Sequence, residues 1–328
     1  MSLLIYILLT ICALFLILSF YLIFRFKSGK KKIEQEWLSY KPEKITNLGK
    51  AKYLEILPLI DWYTNNDKLI GEAGVSYFIK TNEAKILFDV GYNARKSDPS
   101  PLLHNMGQLN LSMDDFDVIV ISHNHLDHVG GFKWQKKKSF SLTTKQIDLG
   151  NKTAYTPIPM TYPGMKVIHS KEPTKIAEGI STIGVIPNFD FFMGRIDEQA
   201  LAVNIEGKGV VIISGCGHQT LPKIIERTKA LFDDPIYGII GGLHYPVSDS
   251  RVKKLGLKMQ KIFGTCRPPR NPITMDDVKE NIALLKKINP RLVALSAHDS
   301  CDVSIEAFRN AFPNEYKEIK VGDKIIID

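Results

Sequence analysis

Ten residues carry the densest chemistry in the chain: Ser122-His123-Asn124-His125-Leu126-Asp127-His128-Val129-Gly130-Gly131. Three histidines and one aspartate fall within six positions, directly after the apolar run Asp117 to Ile121. Imidazole and carboxylate are the usual ligands of zinc and similar divalent cations. In extended chain His123 and His125 point the same way, because side chains alternate with period two, so they can grip one metal. Asp127 and His128 lie just beyond and can serve a second. The Gly130-Gly131 pair lets backbone approach closely. The competing reading is an accidental cluster on a solvated loop, but a fixed HxHxDH pattern arises by chance in roughly one chain in several thousand. Two cations about 3.5–4 Å apart lower the pKa of a shared water from about 15.7 toward ~7, and the resulting hydroxide attacks an acyl or phosphoryl centre. The chemistry expected is metal-assisted hydrolysis.

The elements that must position these residues alternate between strand and helix. Val- and Ile-rich runs with strand character are Tyr53 to Leu59, Val75 to Ile79, Lys85 to Val90, Asp117 to Ser122, Ala202 to Ile205, Gly209 to Ser214, Tyr237 to Ile240 and Arg291 to Ser296, with a short last strand at Lys324 to Ile327. Helical patterns cover Pro222 to Phe232, Ser248 to Ile262, Thr274 to Ile288 and Ile305 to Ala311. Asp276 and Asp277 suit the first turn of the third. Hairpin-like strands first and intervening helices later predict a mixed α/β sheet core covered by helices. Gln135 to Glu172 reads as an irregular insertion near a site.

The HxHxDH element resembles the hallmark of the metallo-β-lactamase superfamily, and the resemblance covers most of the chain after residue 50. Lys85-Ile86-Leu87-Phe88-Asp89-Val90-Gly91 is similar to the family's "ILFDTG" strand. Within the superfamily the chain resembles the group named for 7,8-dihydropterin-6-methyl-4-(β-D-ribofuranosyl)-aminobenzene-5′-phosphate synthase. The residues that carry this are Ser214-Gly215-Cys216-Gly217-His218 ("GCSH"), Gly241-Gly242-Leu243-His244 ("GGFH") and Asp197-Glu198-Gln199-Ala200-Leu201 ("DEQAL"). Ala297-His298-Asp299-Ser300-Cys301 departs from that group's "HCTG", which bears on substrate more than on metal chemistry.

The resemblance implies an αββα sandwich over residues 49–328 and a ligand set divided between two metals. His218 joins His123 and His125 on one; His298 joins Asp127 and His128 on the other. Asp89 is expected to orient a ligand histidine. Asp127 and His244 are the catalytic candidates, the first orienting water, the second contacting substrate or donating a proton. The cofactor expected is one or two zinc ions, with manganese or iron as alternatives. His125 stands where di-iron relatives carry Glu, which favours zinc. Many two-metal members use a bridging Asp where this chain has Cys216. That cysteine reads either as a thiolate ligand or, the preferred reading, as a small buried residue. His104 and His169 read as ordinary.

Residues Leu3 to Phe24 carry no charge, and as a helix they span roughly 33 Å, enough for a hydrocarbon core of about 30 Å. No basic residue precedes the run and it ends in bulky side chains, so an uncleaved anchor is expected over a signal peptide. Arg25, Lys27, Lys30, Lys31 and Lys32 then open a basic juxtamembrane linker over 25–48 and place the large domain on the cytoplasmic side. These five charges supply most of the formal net charge of +8, so net charge does not indicate a nucleic-acid-binding surface. Four cysteines without a CxxC pair support neither a disulfide framework nor a zinc finger. The substrate expected is a small molecule. Lys133, Lys136, Lys137 and Lys138 form either a phosphate-attracting rim or a solvated face. The alternatives to a hydrolase are a synthase-type transfer like that of the named group and a non-catalytic metal-binding module.

Overall fold

Apolar runs without alternation, such as Leu201–Ile205 and Gly209–Ser214, belong to strands covered on both faces. The computed structural model describes residues 3–328 and builds two such sheets. The first contains β1 (Leu54–Ile60), β2 (Ser76–Lys80), β3 (Lys85–Phe88), β4 (Val118–Val120), β5 (Thr153–Thr156), β6 (Lys166–His169) and the last strand β17 (Ile325–Ile327), in the order β17-β1-β2-β3-β4-β5-β6. The second contains β7 (Lys175–Ala177), β8 (Ile180–Thr182), β11 (Leu201–Ile205), β12 (Gly209–Ser214), β13 (Ile236–Gly241) and β16 (Leu292–Leu295), in the order β16-β13-β12-β11-β8-β7. Two hairpins stand outside them: β9–β10 (Ile186–Asp190 and Gly194–Glu198) and β14–β15 (Lys253–Lys254 and Leu257–Lys258).

Side-chain alternation divides the apolar residues among three cores. Leu54 and Ile56 of β1 meet Val211 and Ile213 of β12 between the sheets. The alternate residues of β12, Val210 and Ile212, pack under α4 (Leu221–Leu231), α6 (Met275–Ile288) and α7 (Asp302–Ala311). Leu57 and Leu59 turn the other way, toward α2 (Pro101–Gln108) and α3 (Phe132–Lys137). The layering is helix, sheet, sheet, helix. Each buried Ile or Leu contributes about 1.5–3 kcal/mol relative to exposure, so all three cores contribute to stability.

Most expected elements are present to within a few residues. Thr274 and Asp277 form a capping box on α6, as its acidic first turn suggested. The helix expected over Ser248 to Ile262 is not formed: the segment makes the β14–β15 hairpin and one short turn, α5 (Met259–Ile262). Val252, Leu255, Met259 and Ile262 have helical spacing, but Gly256 takes a positive φ of 77° at a turn, and Leu255 is left almost wholly exposed. Gln135 to Glu172 is more regular than expected, because β5 and β6 extend the first sheet in parallel register.

The N-terminal helix α1 runs unbroken from Leu3 to Ser39 and is long and apolar enough to cross a membrane. Its C-terminal half is docked on the domain. Gly29 and Ile33 are buried, and a Cβ on Gly29 would stand 2.4 Å from the ring of Phe189 on β9. Arg195 pairs with Glu36 at 2.6 Å and Lys223 with Glu34 at 3.1 Å, while Trp37 takes the cations of Lys223 and Arg227 over its ring. Two of the five clustered basic residues, Arg25 and Lys30, turn toward the protein to donate hydrogen bonds.

Gly29→Leu forces that contact apart. Overpacking of this kind costs about 1–3 kcal/mol, roughly a 5- to 150-fold rise in the undocked population. Limited trypsinolysis of the full chain in detergent should then cut at Lys30 to Lys32 correspondingly faster. Lys27→Ala, at an exposed position, should leave the rate of cutting at these sites unchanged.

Candidate metal centre

Strand direction gathers the site. β12, β13 and β16 are mutually parallel, so their C-terminal ends lie along one edge, and β3 and β4 run parallel in the facing sheet. Ligand sites in open α/β sheets form at such carboxyl ends. His123 follows β4, His218 follows β12, His244 follows β13 and His298 follows β16. A bridge between His123 and Glu198 and a bond from Gln199 N–H to the Ser122 carbonyl (2.9 Å) close the edges on each other. Glycine permits the approach: a Cβ on Gly215 would sit 2.1 Å from Ser122 Oγ.

The residues expected to share a site converge. Ring centroids are 4.5 Å apart for His123 and His125, 4.9 Å for His123 and His218, and 4.9 Å for His125 and His218. Asp127 Oδ2 lies 3.7 Å from His128 Nε2, and the His128 and His298 rings are 5.3 Å apart. The two groups adjoin, with His123 and His128 rings at 4.1 Å.

Each buried imidazole is held by its Nδ1. His128 Nδ1–H donates to Asp89 Oδ2 (2.7 Å), and Asp89 also accepts from the Ser122 N–H and hydroxyl (both 2.7 Å). Ser122 Oγ lies 3.0 Å from His123 Nδ1. His218 Nδ1–H donates to the Gly264 carbonyl (2.6 Å). His298 Nδ1–H donates to Ser296 Oγ (2.6 Å), whose hydroxyl donates to Asp61 Oδ2 (2.6 Å). These assignments follow from the acceptors present. They leave Nε2 as the free lone pair, and Nε2 of His123, His128, His218 and His298 is buried without a partner in the protein.

Electrostatics divide the site. Burial, followed by the neighbouring imidazoles, holds His123 and His218 well below the usual histidine pKa, so they are neutral. Burial works against charge on His128 too, but Asp127 and Asp89 outweigh it and raise it to about 9. That proton affinity reflects a local excess of negative charge, and at His128 Nε2 a metal cation would take the place of the proton. Four unpartnered buried lone pairs beside carboxylates therefore fit divalent ions.

Cys216 stands between the groups. Its Sγ lies within 4.8 Å of ligand atoms of both His123 with His218 and His128 with His298. It is buried, as preferred from sequence, and also central. His244 is buried with both nitrogens facing protein: Nδ1 lies 3.2 Å from Cys216 Sγ and Nε2 3.2 Å from the Gln260 carbonyl. A cavity of about 320 Å³ opens beside His218 and His244, lined also by Arg267 and Asn281. His104 and His169 contact backbone carbonyls of Lys68 and Pro157 and take no part. Lys133 and Lys137 hold their ammonium groups over Trp134.

Sequence reasoning assigned no role to three carboxylates that support this shell. Glu198 Oε1 accepts the N–H groups of Cys216 and Gly217 (both 2.9 Å) and so sets the loop that presents His218. Asp299 Oδ2 accepts the His244 N–H (2.8 Å). Asp61 accepts from Ser296, Tyr77 and the Ala297 N–H. Asp61 carried the same signal as Asp89, an acid closing an apolar strand.

Residues 69–140 match the family model described as Metallo-beta-lactamase superfamily. The chain is 29% identical over 266 residues to the 7,8-dihydropterin-6-methyl-4-(beta-D-ribofuranosyl)-aminobenzene-5'-phosphate synthase of Methanocaldococcus jannaschii, an alignment taking in 65% of this chain and 88% of that protein. It is 27% identical over 217 residues to an uncharacterised protein of the same organism, covering 57% of this chain and 79% of the relative. Among solved structures, a metal-dependent hydrolase of the beta-lactamase superfamily superposes with a TM-score of 0.56 at 18% identity, over 83% of this chain and 98% of that one, a likeness of fold. Two sheets between helical layers, the HxHxDH turn at their joined edges and these matches agree: the chain carries a metallo-beta-lactamase superfamily domain in that superfamily's mixed α/β fold.

Proposed function

We propose that the protein is a membrane-anchored, metal-dependent hydrolase of an ester or phosphoester. Residues 3–24 would serve as the anchor, and the domain from residue 49 would work on the cytoplasmic side, where the basic cluster stays. The observation that carries the reading is the set of four buried Nε2 atoms without partners, each on a ring pinned through Nδ1. His123, His125 and His218 would hold one cation, and Asp127, His128 and His298 a second. Zinc suits this nitrogen and oxygen donor set, with manganese or iron as alternatives. A divalent ion so held supplies Lewis acidity and brings the pKa of water toward neutrality.

The remaining work falls to the chain. Asp127 keeps some exposure, with 22% of its side chain open, and would orient water at the metals. Asp89, Ser122, Ser296 and the Gly264 carbonyl fix the tautomers that keep the lone pairs inward. Cys216 lies between the two groups, and its sulfur, as a thiolate, would help hold the cations. His244, 3.2 Å from that sulfur, would take its proton as the thiolate forms, and would donate to a bound substrate only on releasing the Gln260 carbonyl.

The relative named as a synthase favours a second reading, a synthase-type transfer joining a pterin to an aminobenzene ribofuranosyl phosphate. Incubation of the full chain with those two substrates separates it from hydrolysis.

Two expectations test the metal reading. His123→Ala and Asp127→Ala should each lose bound metal and metal-dependent turnover of bis-p-nitrophenyl phosphate; intact metal content and rate in both would end the hydrolase reading. The cobalt-loaded protein should show a thiolate-to-cobalt charge-transfer band that Cys216→Ser abolishes. Separately, Asp89→Ala should weaken metal affinity about 10- to 100-fold in chelator competition, the usual cost of losing a ligand's outer partner.

A further inference from the structure

The domain grips α1 one residue beyond its apolar run, and that grip leads to the metal centre. Arg25 donates to the carbonyls of Phe191 (2.9 Å) and Phe192 (2.7 Å) at the tip of β9–β10. Phe26 packs its ring on Phe191 at 5.4 Å. With 1.5 Å of rise per residue, this tip stands level with the last turn of the apolar run. Phe192 packs in turn on Phe263 at 5.2 Å. Asp190 accepts the N–H groups of Gly264 (3.0 Å) and Cys266 (3.2 Å). Gly264 lies against His244 and the ring of His218: a Cβ there would be 2.8 Å from the first and 2.9 Å from the second. A second path is shorter. Lys30 donates to Asn188 Oδ1 (2.6 Å), and the Asn188 amide donates to the His218 carbonyl (2.5 Å).

The segment that covers this side of the centre also carries an unexplained apolar tip. Gln260 donates to the His298 carbonyl (2.6 Å), and its own carbonyl faces His244 Nε2. Just before Gln260, two to seven residues earlier, the same segment forms β14–β15, with the sequence Lys253-Lys254-Leu255-Gly256-Leu257-Lys258. Leu255 is 96% exposed and Leu257 56%. Turns facing water favour Gly, Asn, Asp, Ser and Pro, not a pair of leucines. Lysines flanking an apolar tip suit the headgroup layer, where their stems lie along apolar surface and their ammonium groups reach water and phosphate. Asp249 pairs with Lys253 (3.1 Å) and lies near Lys258 (3.8 Å), so the three lysines retain a positive surplus.

We infer that the substrate of this site is a bilayer lipid, an amphiphile whose headgroup ester is presented to the metal centre from the membrane, with the Leu255–Leu257 tip and the β9–β10 tip seated at headgroup level. This rests on the hydrolase reading and on α1 as the spanning helix. Water adds to the carbonyl carbon or phosphorus, the bond from that atom to the lipid's alcohol oxygen breaks, and that oxygen takes the proton the water gives up.

The test uses the full, metal-loaded chain in vesicles of phosphatidylethanolamine and phosphatidylglycerol. The indole introduced by L255W should be quenched when the lipids carry bromine on their acyl chains and not in unbrominated vesicles; no quenching overturns the inference. Leu255→Glu with Leu257→Glu should lower turnover of a long-chain fluorescent phospholipid about tenfold or more, the equivalent of one leucine's burial, and leave a short-chain, water-soluble ester with the same headgroup within about twofold. Equal rates of wild type and variant on the long-chain lipid, or equal losses on both esters, overturn it as well. Quenching with no turnover of any ester overturns the hydrolase reading instead, and with it the lipid as substrate, while the seating of the tip stands.

Discussion

Everything at this site depends on one constraint: a buried imidazole nitrogen without a partner is costly, on the order of 1–3 kcal/mol, unless something occupies its lone pair. Four such nitrogens meet at the joined edges of two sheets. The protein keeps them there by holding the opposite nitrogen of each ring. Asp89, Ser122, Ser296 with Asp61, and the Gly264 carbonyl are all acceptors, and each forces the proton onto Nδ1. The strand order follows from the same demand, since only parallel neighbours bring β12, β13 and β16 to the same edge with their carboxyl ends together.

The local part of this site was legible in the residues alone. His123, His125, Asp127 and His128 are neighbours in sequence: period-two geometry pairs the first two, and closeness along the chain brings in the others. His218 and His298 lie about 90 and 170 positions further on, and only a resemblance of motifs could join them to the first four. The outer carboxylates were harder to read. Glu198 and Asp299 act through backbone N–H groups, and no side-chain pattern announces that a loop needs an acceptor. For Cys216 the sequence offered a metal-binding thiolate or a small buried residue as alternatives, and the structure shows it both buried and close to both ligand groups.

The fold was legible wherever a run is buried on both faces, as in β11 and β12. It failed where a helical periodicity meets a turn. Val252, Leu255, Met259 and Ile262 repeat like a helix face, yet the chain turns at Gly256 and leaves leucine outside. The stretch after Phe24 read as a basic linker, and the contacts it makes were not visible in its composition: Arg25 and Lys30 donate to carbonyl and amide oxygens of β9–β10, and Gly29 supplies the flat surface that lets Phe189 close on the helix.

The continuity of α1 carries a mechanical consequence. A helix of 37 residues is about 55 Å long, and it enters the domain without a hinge. Bilayers that are thicker or thinner than a span are accommodated largely by tilting it. Were α1 that span, a change in hydrocarbon thickness would rotate the globular body with it, because ion pairs and a buried glycine join strut to body. Lipid composition would then act on the molecule as a torque, setting the attitude at which its metal-bearing edge meets the surface beneath it.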